Sequence, residues 1–331
     1  MASGHITVAA DAGTLPDRET FARDIEPLRR ELLAHCYRML GSVHDAEDVV
    51  QETYLRAWRH YDGFEGRSSP RAWLYQIATN ACLTALRRSN RRVIPSGLGA
   101  PNEPASQAPR DVGWLQPVPD AMVTPDSRDP GEILAARENV RLALIASLQY
   151  LTPRQRAVLL LRDVLAFPTA EVADLVGTTP AAVKSTLQRA RARLQERTPV
   201  AEQLVEPSDP SARALLDQYI NAFQTSDAAA LKHLLHRDAT VELIPSPTWF
   251  AGDDALACAV AGLGAPGDWR MLPTVANGQP AAASYHHAED GLYHAYGIVI
   301  LTTTTTAITR ITLFGDPGLP RLFGLPDTLG G

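Results

Sequence analysis

The spacing of apolar and polar residues divides the first 198 residues into two helical segments and a linker. In residues 20–92 and again in residues 131–198, apolar residues recur at intervals of three and four, which predicts amphipathic helices. Residues 93–130 contain eight prolines and no regular apolar repeat, which predicts an extended linker. Residues 1–19 carry neither pattern, and we expect them to be disordered.

The pattern changes beyond residue 207. An amphipathic helical pair at 212–235 precedes segments in which β-branched residues are frequent. The predicted strands lie at 240–244, 281–285, 292–303 and 307–314. Residues 207–331 therefore predict an α+β domain. The predicted fold class is multidomain, with two all-α parts ahead of this domain.

Composition excludes several classes of protein. No stretch approaches the roughly 20 apolar residues of a membrane span, and the first twenty residues lack the pattern of a signal peptide. We therefore expect a cytoplasmic protein that does not contact a membrane. Cys36, Cys82 and Cys258 are far apart and give neither a disulfide framework nor metal-binding spacing. We predict buried thiols, no metal site and no cofactor.

Charge is distributed unevenly along the chain. The net charge of −6 resides in residues 207–331, which hold six Lys and Arg against twelve Asp and Glu, so the other residues sum to zero. Within that neutral part, basic residues cluster at 87–92 and at 184–197. Two local basic patches on a neutral body indicate local contacts with phosphates.

The strongest local signal is a helix-turn-helix over 169–194. Gly177 is suited to ending a first helix, Thr179 to capping a second, and Pro180 to the first position of that second helix. The second helix has one apolar stripe and an opposite face of small, amide and basic residues, which suits a DNA groove. The candidate DNA-contacting residues are Pro180, Ala181, Lys184, Ser185, Gln188, Arg189 and Arg191. A solvated amphipathic surface helix is the alternative.

Residues 45–58, DAEDVVQETYLRAW, predict a helix with two different faces. One face is apolar and suited to a core. The other has a single apolar residue inside a charged rim, which is typical of a protein-docking surface. Its candidate residues are Asp48, Gln51, Glu52 and Leu55. A solvated face with one isolated leucine is the alternative that the residues alone leave open.

Together these segments resemble the sigma-70 family of bacterial transcription-initiation factors, in its small extracytoplasmic-function (ECF) type. LTPRQRAVLLLRDVL at 151–165 and VKSTLQRARARL at 183–194 look like region 4, which reads the −35 promoter element. The 45–58 segment and RAWLYQIATN at 71–80 look like region 2, which docks on RNA polymerase and reads the −10 element. The resemblance assigns contacts with the −10 strand to Arg67, Asn80, Arg87 and Arg88.

The resemblance implies a promoter-specificity subunit. Its partners would be promoter DNA and core RNA polymerase, through the β′ clamp helices and the β subunit, with the linker running through the polymerase channels. The linker as a mere flexible tether is the alternative. A stand-alone helix-turn-helix regulator with a ligand-binding domain is the second hypothesis for the whole chain, and the 45–92 segment, which such a regulator does not need, argues against it.

The α+β segment at 207–331 resembles the cone-shaped fold of SnoaL-like and ketosteroid-isomerase-like proteins. Together with the sigma segments, it is similar to the extended SigG-like or SigJ-like subgroup of ECF sigma factors. We interpret it as a regulatory domain that binds a small molecule or contacts the sigma domains. An isomerase- or cyclase-like enzyme is the third hypothesis, although no acid–base pair is evident and we predict no catalytic residues. The residues expected to line a pocket are Tyr219, Asp238, Trp249, Asp253 and His286.

Overall fold

The computed structural model describes residues 23, 25–61, 69–88, 91–103, 113–127, 129–196 and 209–331. Among its described residues, the first helical part has a short 3₁₀ turn, Glu26–Leu28, and three helices. These helices are α1 (Arg29–Leu40), α2 (Val43–His60) and α3 (Pro70–Ala85). Gly41 ends α1 with a left-handed backbone, φ 70°, and the Ser42 side chain accepts a hydrogen bond from the Asp45 N–H at the start of α2. The predicted disorder of residues 1–19 lies outside the described residues.

The described part of the linker contains little regular structure and packs on the rest of the molecule. It forms the parallel strand pair β1 (Arg92–Val93) and β2 (Gly113–Trp114), a 3₁₀ turn at Pro95–Gly97 and the single helical turn α4 (Asp120–Val123). Leu115 and Val118 are buried, and the Leu115 N–H donates to the Val93 carbonyl. The described part of the linker is therefore ordered and packed on the rest of the molecule.

The second helical part contains five helices. They are α5 (Pro130–Glu138), α6 (Leu142–Leu148), α7 (Pro153–Leu159), α8 (Thr169–Leu175) and α9 (Pro180–Gln195), and α7 continues into a π turn, Leu160–Val164. Thr152 and Gln155 form a capping box at the start of α7. Helices α8 and α9 form the predicted helix-turn-helix, with Gly177 at φ 62° between them.

Residues 209–331 form an α+β cone. Its helices are α10 (Pro210–Thr225), α11 (Ala228–Leu234), α12 (Asp253–Ala261) and the short α13 (Leu319–Leu322). Its strands are β3 (Leu235–Ile244), β4 (Trp249–Ala251), β5 (Trp269–Ala276), β6 (Gln279–His287), β7 (Tyr293–Thr303), β8 (Ile308–Phe314) and β9 (Thr328–Leu329). The helical pair and all four predicted strands are present, so the predicted fold class is confirmed.

The strands form one sheet in the order β4-β3-β8-β7-β6-β5, with β9 paired to the start of β7. Pairing is antiparallel except between β3 and β8. Three strands that the sequence did not reveal, β4, β5 and β9, are short or lack a clean alternation of buried and exposed residues. Polar–apolar alternation therefore gave no signal for them.

The two faces of this sheet belong to two different hydrophobic cores. One face packs with α10, α11 and α12 in a core that includes Leu216, Phe223 and Val299. The other face contributes to a core that is continuous with both all-α parts of the chain. The sheet residues of this second core are Ile244, Ala276, Ala281, Ala283, Tyr285, Tyr293, Ile298, Ile300 and Phe314. Successive residues of a strand point to opposite faces, so a single strand such as β7 contributes Ile298 and Ile300 to one core and Val299 and Leu301 to the other.

Candidate functional site

Helix α9 presents a basic, exposed face beside a buried stripe. The Thr179 side chain accepts a hydrogen bond from the Ala182 N–H, and Pro180 occupies the first turn, where its missing N–H costs nothing. Val183 and Ala190 are buried. All seven candidate residues of the helix, namely Pro180, Ala181, Lys184, Ser185, Gln188, Arg189 and Arg191, are exposed.

Two of the arginines on this face already have partners within the chain. Arg191 makes a bidentate ion pair with Asp163, at 2.7 and 2.9 Å, which raises the pKa of Arg191. Arg189 donates to the Ser185 hydroxyl, at 2.5 Å. Lys184 and Gln188 extend from the same face. Arg191 therefore helps to join α9 to the preceding π turn, a role that the sequence did not reveal.

A groove of about 500 Å³ lies between α2 and α3. Its lining residues are Arg56, Arg59, His60, Trp73, Gln76, Ile77 and Asn80. Of the four residues assigned to the −10 strand, Asn80 lines the groove, and Arg87 and Arg88 lie exposed just beyond the end of α3. Arg67 lies outside the described residues. The groove combines cations, amides and an aromatic ring, which are the groups that bind single-stranded nucleic acid.

Arg56, Arg59, His60 and Gln76 were not predicted from the sequence as members of this groove. They sit on two helices whose facing sides become neighbours only in the folded domain. Tyr75, by contrast, is fully buried, while Trp73 is half-buried at the groove. Basic residues flanking the 45–58 segment, such as Arg59, were the available signal.

The outer face of α2 carries an isolated exposed leucine. Leu55 is 57% exposed, and Asp48, Gln51 and Glu52 surround it as an exposed polar rim. Glu52 pairs with Arg56 one turn along the helix, at 2.5 Å. The inner face of α2 is buried through residues such as Val49 and Val50. The helix thus has the two faces that its sequence predicted.

The two all-α parts pack directly against each other. The Phe167 ring meets the Tyr75 ring edge-on, with centroids 5.4 Å apart, and the Arg71 guanidinium lies over both rings. The buried Arg156 of α7 donates to the Met39 carbonyl of α1 and to Gln149 Oε1, and burial lowers the pKa of Arg156 to about 10. The groove-bearing part and the helix-turn-helix are therefore held side by side.

The turn between β5 and β6 inserts into the junction of the all-α parts and the linker. Asn277 is fully buried, and its side-chain amide donates to the Tyr37 hydroxyl of α1, at 2.8 Å, and to the Val140 carbonyl, at 2.7 Å. Its Oδ1 accepts from the Val118 N–H, and the Gly278 N–H donates to Asp120 Oδ1, at 2.7 Å. One side chain therefore bonds to three separate parts of the chain.

Two further contacts fix the linker to the sheet. The fully buried Glu242 of β3 accepts from the Ser96 N–H and hydroxyl, both at 3.2 Å, and pairs with Arg310 of β8. Asn102 exchanges hydrogen bonds with Ala251, and the Trp249 indole donates to the Gly99 carbonyl, at 2.9 Å. These bonds give the linker a defined course across the cone.

The cone encloses a cavity of about 150 Å³ between its sheet and its helices. Tyr219 lines it, as predicted. Asp238, Trp249, Asp253 and His286 do not, so this part of the prediction is wrong. Asp238 and Asp253 face solvent, Trp249 bonds to the linker, and the exposed His286 stacks edge-on against Trp269. The wall is built mainly of apolar side chains, which a search for polar candidates overlooks.

Comparison with known proteins agrees with this arrangement. Residues 25–92 match the family model described as Sigma-70 region 2, and residues 141–194 match Sigma-70, region 4. The chain is 49% identical over 319 residues to the ECF RNA polymerase sigma factor SigG of Mycobacterium tuberculosis, covering 94% of this chain and 85% of that protein. The ECF RNA polymerase sigma factor SigJ of the same organism is 32% identical over 219 residues, 66% of this chain and 62% of that one.

A solved structure shares the fold. The crystal structure of the M. tuberculosis extracytoplasmic function sigma factor SigJ matches with a TM-score of 0.60 and 24% identity, over 92% of this chain and 100% of that chain.

Among the helices that the structure of this chain describes, none is both long and apolar enough to span a bilayer.

Proposed function

The chain belongs to the family of extracytoplasmic-function RNA polymerase sigma factors, and on that basis we propose which of its surfaces perform each step of promoter recognition. As a sigma factor it binds core RNA polymerase and directs transcription initiation from specific promoters, with region 2 reading the −10 element and region 4 the −35 element. Sigma factors are not enzymes, and we expect this protein to act in the cytoplasm with its polymerase.

We propose that α9 reads the −35 element in the major groove. Gln188 is suited to a bidentate contact with adenine, and Lys184 to neutralising a phosphate. Arg189 can leave its hydroxyl partners for guanine or phosphate at little cost, because those partners are exposed. Arg191 retains Asp163 and orients α9 on the domain.

The groove between α2 and α3 is our candidate for the −10 strand. Unstacking a base costs a few kcal/mol, which stacking and charge in the protein must offset. Trp73 offers a ring at the groove, Arg56 and Arg59 offer charge, and Asn80 offers an amide to a base edge. Arg87 and Arg88 extend the positive surface along the strand.

The outer face of α2 is our candidate docking surface for polymerase, on the β′ clamp helices. An exposed leucine within a polar rim has the anatomy of a binding hot spot, in which one desolvated side chain supplies most of the affinity. This face stays accessible to a partner while regions 2 and 4 are in contact, since Leu55 is 57% exposed. The β subunit is proposed as the second contact, through region 4.

We further propose that the cone regulates the sigma domains by holding them closed. The −10 and −35 elements lie about 25 base pairs apart, roughly 85 Å along B-DNA at 3.4 Å per base pair. Regions 2 and 4 touch each other here through Phe167 and Tyr75, so both elements cannot be read until the two regions separate. The observation that carries this proposal is Asn277, whose amide bridges region 2, the linker and the start of region 4.

Promoter-dependent transcription in vitro tests this function with the full chain and core polymerase. If only a fraction of molecules is open, the apparent affinity for polymerase and promoter falls by that fraction. Asn277→Ala removes three buried hydrogen bonds, so we expect about fivefold more transcript at limiting protein. Asn221→Ala, on the exposed face of α10, is the matched control.

Two outcomes would count against the proposal. No promoter-dependent transcript from the full chain, at any protein concentration, contradicts the sigma activity. A folded Asn277→Ala variant with no more transcript than Asn221→Ala contradicts the closing role of the cone. Circular dichroism establishes that both variants are folded.

The cone is proposed to act without catalysis. Isomerases of this type use a buried carboxylate as their base, and no Asp or Glu lines the cavity among the residues that the structure describes. Turnover of a hydrophobic ketone by the full chain would contradict this.

A further inference from the structure

The cavity inside the cone is apolar over most of its wall. It has a volume of about 150 Å³ and lies between the inner face of the sheet and helices α10 and α12. The aliphatic and aromatic wall includes Phe223, Val241, Met271, Val299 and Ile311. No Lys, Arg, Asp or Glu is present among the described lining residues. Such a wall cannot offset the desolvation of a charged ligand, so a neutral molecule is required.

Tyr219 brings one unpartnered polar group to this wall. Its side chain is only 2% exposed, and its ring packs against Phe223 with centroids 4.7 Å apart. The Tyr219 hydroxyl makes no hydrogen bond with any residue in the described part of the chain. Its oxygen is not one of the fully enclosed side-chain atoms that lack a partner, so it keeps accessible surface beside the cavity that the residue lines. A phenylalanine would fill the same space without a hydroxyl group, so the hydroxyl indicates a hydrogen-bond partner within the cavity.

Apart from the Tyr296 hydroxyl at the exposed end of the cavity, the other polar groups of the wall have partners or are weak hydrogen-bonding groups. The Trp269 indole donates to the Gly262 carbonyl, at 3.0 Å, and the Ser284 hydroxyl donates to the Gly297 carbonyl, at 3.2 Å. Burial raises the pKa of the Cys258 thiol and of the Tyr219 hydroxyl, so both are neutral at physiological pH. Tyr219 is therefore the strongest hydrogen-bonding group that the buried part of this wall leaves for a ligand.

The cavity has an aromatic rim. Trp269 and Tyr296 both line it and meet edge-on, with ring centroids 5.1 Å apart. Tyr296 is 43% exposed, which places this rim at the surface. Because Tyr296 lines the cavity and is exposed, this rim marks the end of the cavity that is nearest to solvent.

We propose that the cone binds a small, neutral, apolar molecule with a single hydrogen-bonding oxygen, which pairs with the Tyr219 hydroxyl. The volume sets the size, because apolar cavities of about 150 Å³ accommodate one benzene ring. The chemical class is thus that of simple phenols, short alcohols and small ketones.

The proposed ligand site adds an effector to the proposed regulatory function, and the effect of the ligand on the sigma domains rests on that function. Strand β6 connects the cavity to the sigma domains. Ser284 of this strand lines the cavity, and the turn ahead of the strand bonds to Tyr37 and Asp120 through Asn277 and Gly278. Ala281 and Ala283 of the same strand belong to the core shared with regions 2 and 4. A ligand that shifts β6 would alter that contact.

Calorimetric titration of the full-length protein with phenol and with benzene tests the site directly. Phenol has seven non-hydrogen atoms. At an ordinary binding free energy per atom, we expect it to bind with a Kd of about 1 mM or tighter. Tyr219→Phe should weaken phenol about fivefold and leave benzene within about twofold, because it removes one hydrogen bond and no volume. Tyr293→Phe, the same change in the same domain but outside the wall, should bind phenol as the wild type does.

A filled cavity gives the second test. Ala259→Leu adds volume at the wall and should abolish binding of both compounds in a folded protein. No heat of binding with phenol up to about 10 mM, equal binding by Ala259→Leu, or an unchanged phenol-to-benzene ratio in Tyr219→Phe would each overturn the proposal. These titrations contain no polymerase, so they test the ligand site alone. A failure of promoter-dependent transcription would contradict the proposed function and would not change the titration result.

Discussion

The buried imidazole of His35 gives region 2 a pH-dependent stability. His35 lies between α1 and α3, hydrogen-bonded to the Thr79 hydroxyl at 3.0 Å, with the Tyr75 ring edge-on at 5.2 Å. Burial, together with the smaller effect of the Arg38 and Arg71 charges, lowers the pKa of His35 to about 3. The imidazole is therefore neutral in the folded protein at physiological pH.

This pKa predicts acid sensitivity with a definite sign. Between pH 6.5 and 3 the unfolded chain binds a proton at His35 that the folded chain does not, so stability is lost as pH falls through that window. The loss approaches 1.4 kcal/mol per pH unit for one group. His35→Gln should reduce this slope in denaturant unfolding between pH 6 and 4, whereas His60→Gln, at an exposed position, should not. Equal slopes in both variants would contradict the prediction.

Two side chains of α9 are expected to act differently on DNA. Gln188→Ala should lower transcription about tenfold or more at promoters with the preferred −35 base and relax discrimination at that position, because a bidentate base contact contributes about 1–3 kcal/mol. Lys184→Ala should weaken all promoters alike and make transcription less sensitive to salt. Transcription across a set of −35 variants at two salt concentrations distinguishes them. If Gln188→Ala and Lys184→Ala lose discrimination at the −35 position equally, the prediction is wrong.

Which residues could be predicted depended on how local their signals were. Gly177, Thr179 and Pro180 define the helix-turn-helix within four residues of chain, and the structure places all three as the sequence indicated. Asn277 bonds to Tyr37 across 240 positions, and no local pattern carries that pairing. The pocket prediction chose Asp238 and Asp253 for their polarity, whereas the wall uses residues that look like ordinary core.

Helix α2 stands between the core of region 2 and the proposed polymerase surface. Leu55→Asp places a charge at the centre of the exposed face without touching the buried face, so the fold should be retained. Loss of a hot-spot side chain costs about 2 kcal/mol, so affinity for core polymerase should fall about thirtyfold. Leu292→Asp, at a leucine 39% exposed on the cone, is the matched control. Fluorescence anisotropy with labelled protein measures both, and equal affinities would remove α2 from the interface.

The helices themselves were predictable because capping and periodicity are properties of short segments. Ser42 caps α2 and Gly41 ends α1 as their types suggest. The linker differs, since its prolines predicted extension but not its course. Its path is set by the Glu242 carboxylate and by Asn102, through contacts with residues far along the chain. Long-range hydrogen bonds therefore decided what local propensity left open.

One turn of the cone contacts region 2, the linker and the start of region 4, and we propose that it controls the separation of regions 2 and 4. Gly278 in that turn has φ 63°, and a Cβ there would lie 2.6 Å from the Arg137 carbonyl oxygen. Gly267 also has a positive φ, 88°, but a Cβ there meets nothing within 4 Å. Alanine at either position carries the same backbone strain, of about 1 kcal/mol, and only at Gly278 does it also collide with region 4.

This difference allows closure to be tested in a single molecule. Dyes on Thr84→Cys at the end of α3 and Gln195→Cys at the end of α9, in a Cys258→Ser background, report the separation of regions 2 and 4. We expect high transfer efficiency in the free protein, and low efficiency once core polymerase and promoter are added. Gly278→Ala should lower the efficiency without either partner, because the clash favours the undocked cone, whereas Gly267→Ala should not. If transfer stays high on the promoter complex, the closed arrangement is compatible with reading both elements, and the cone then needs no opening step to permit transcription.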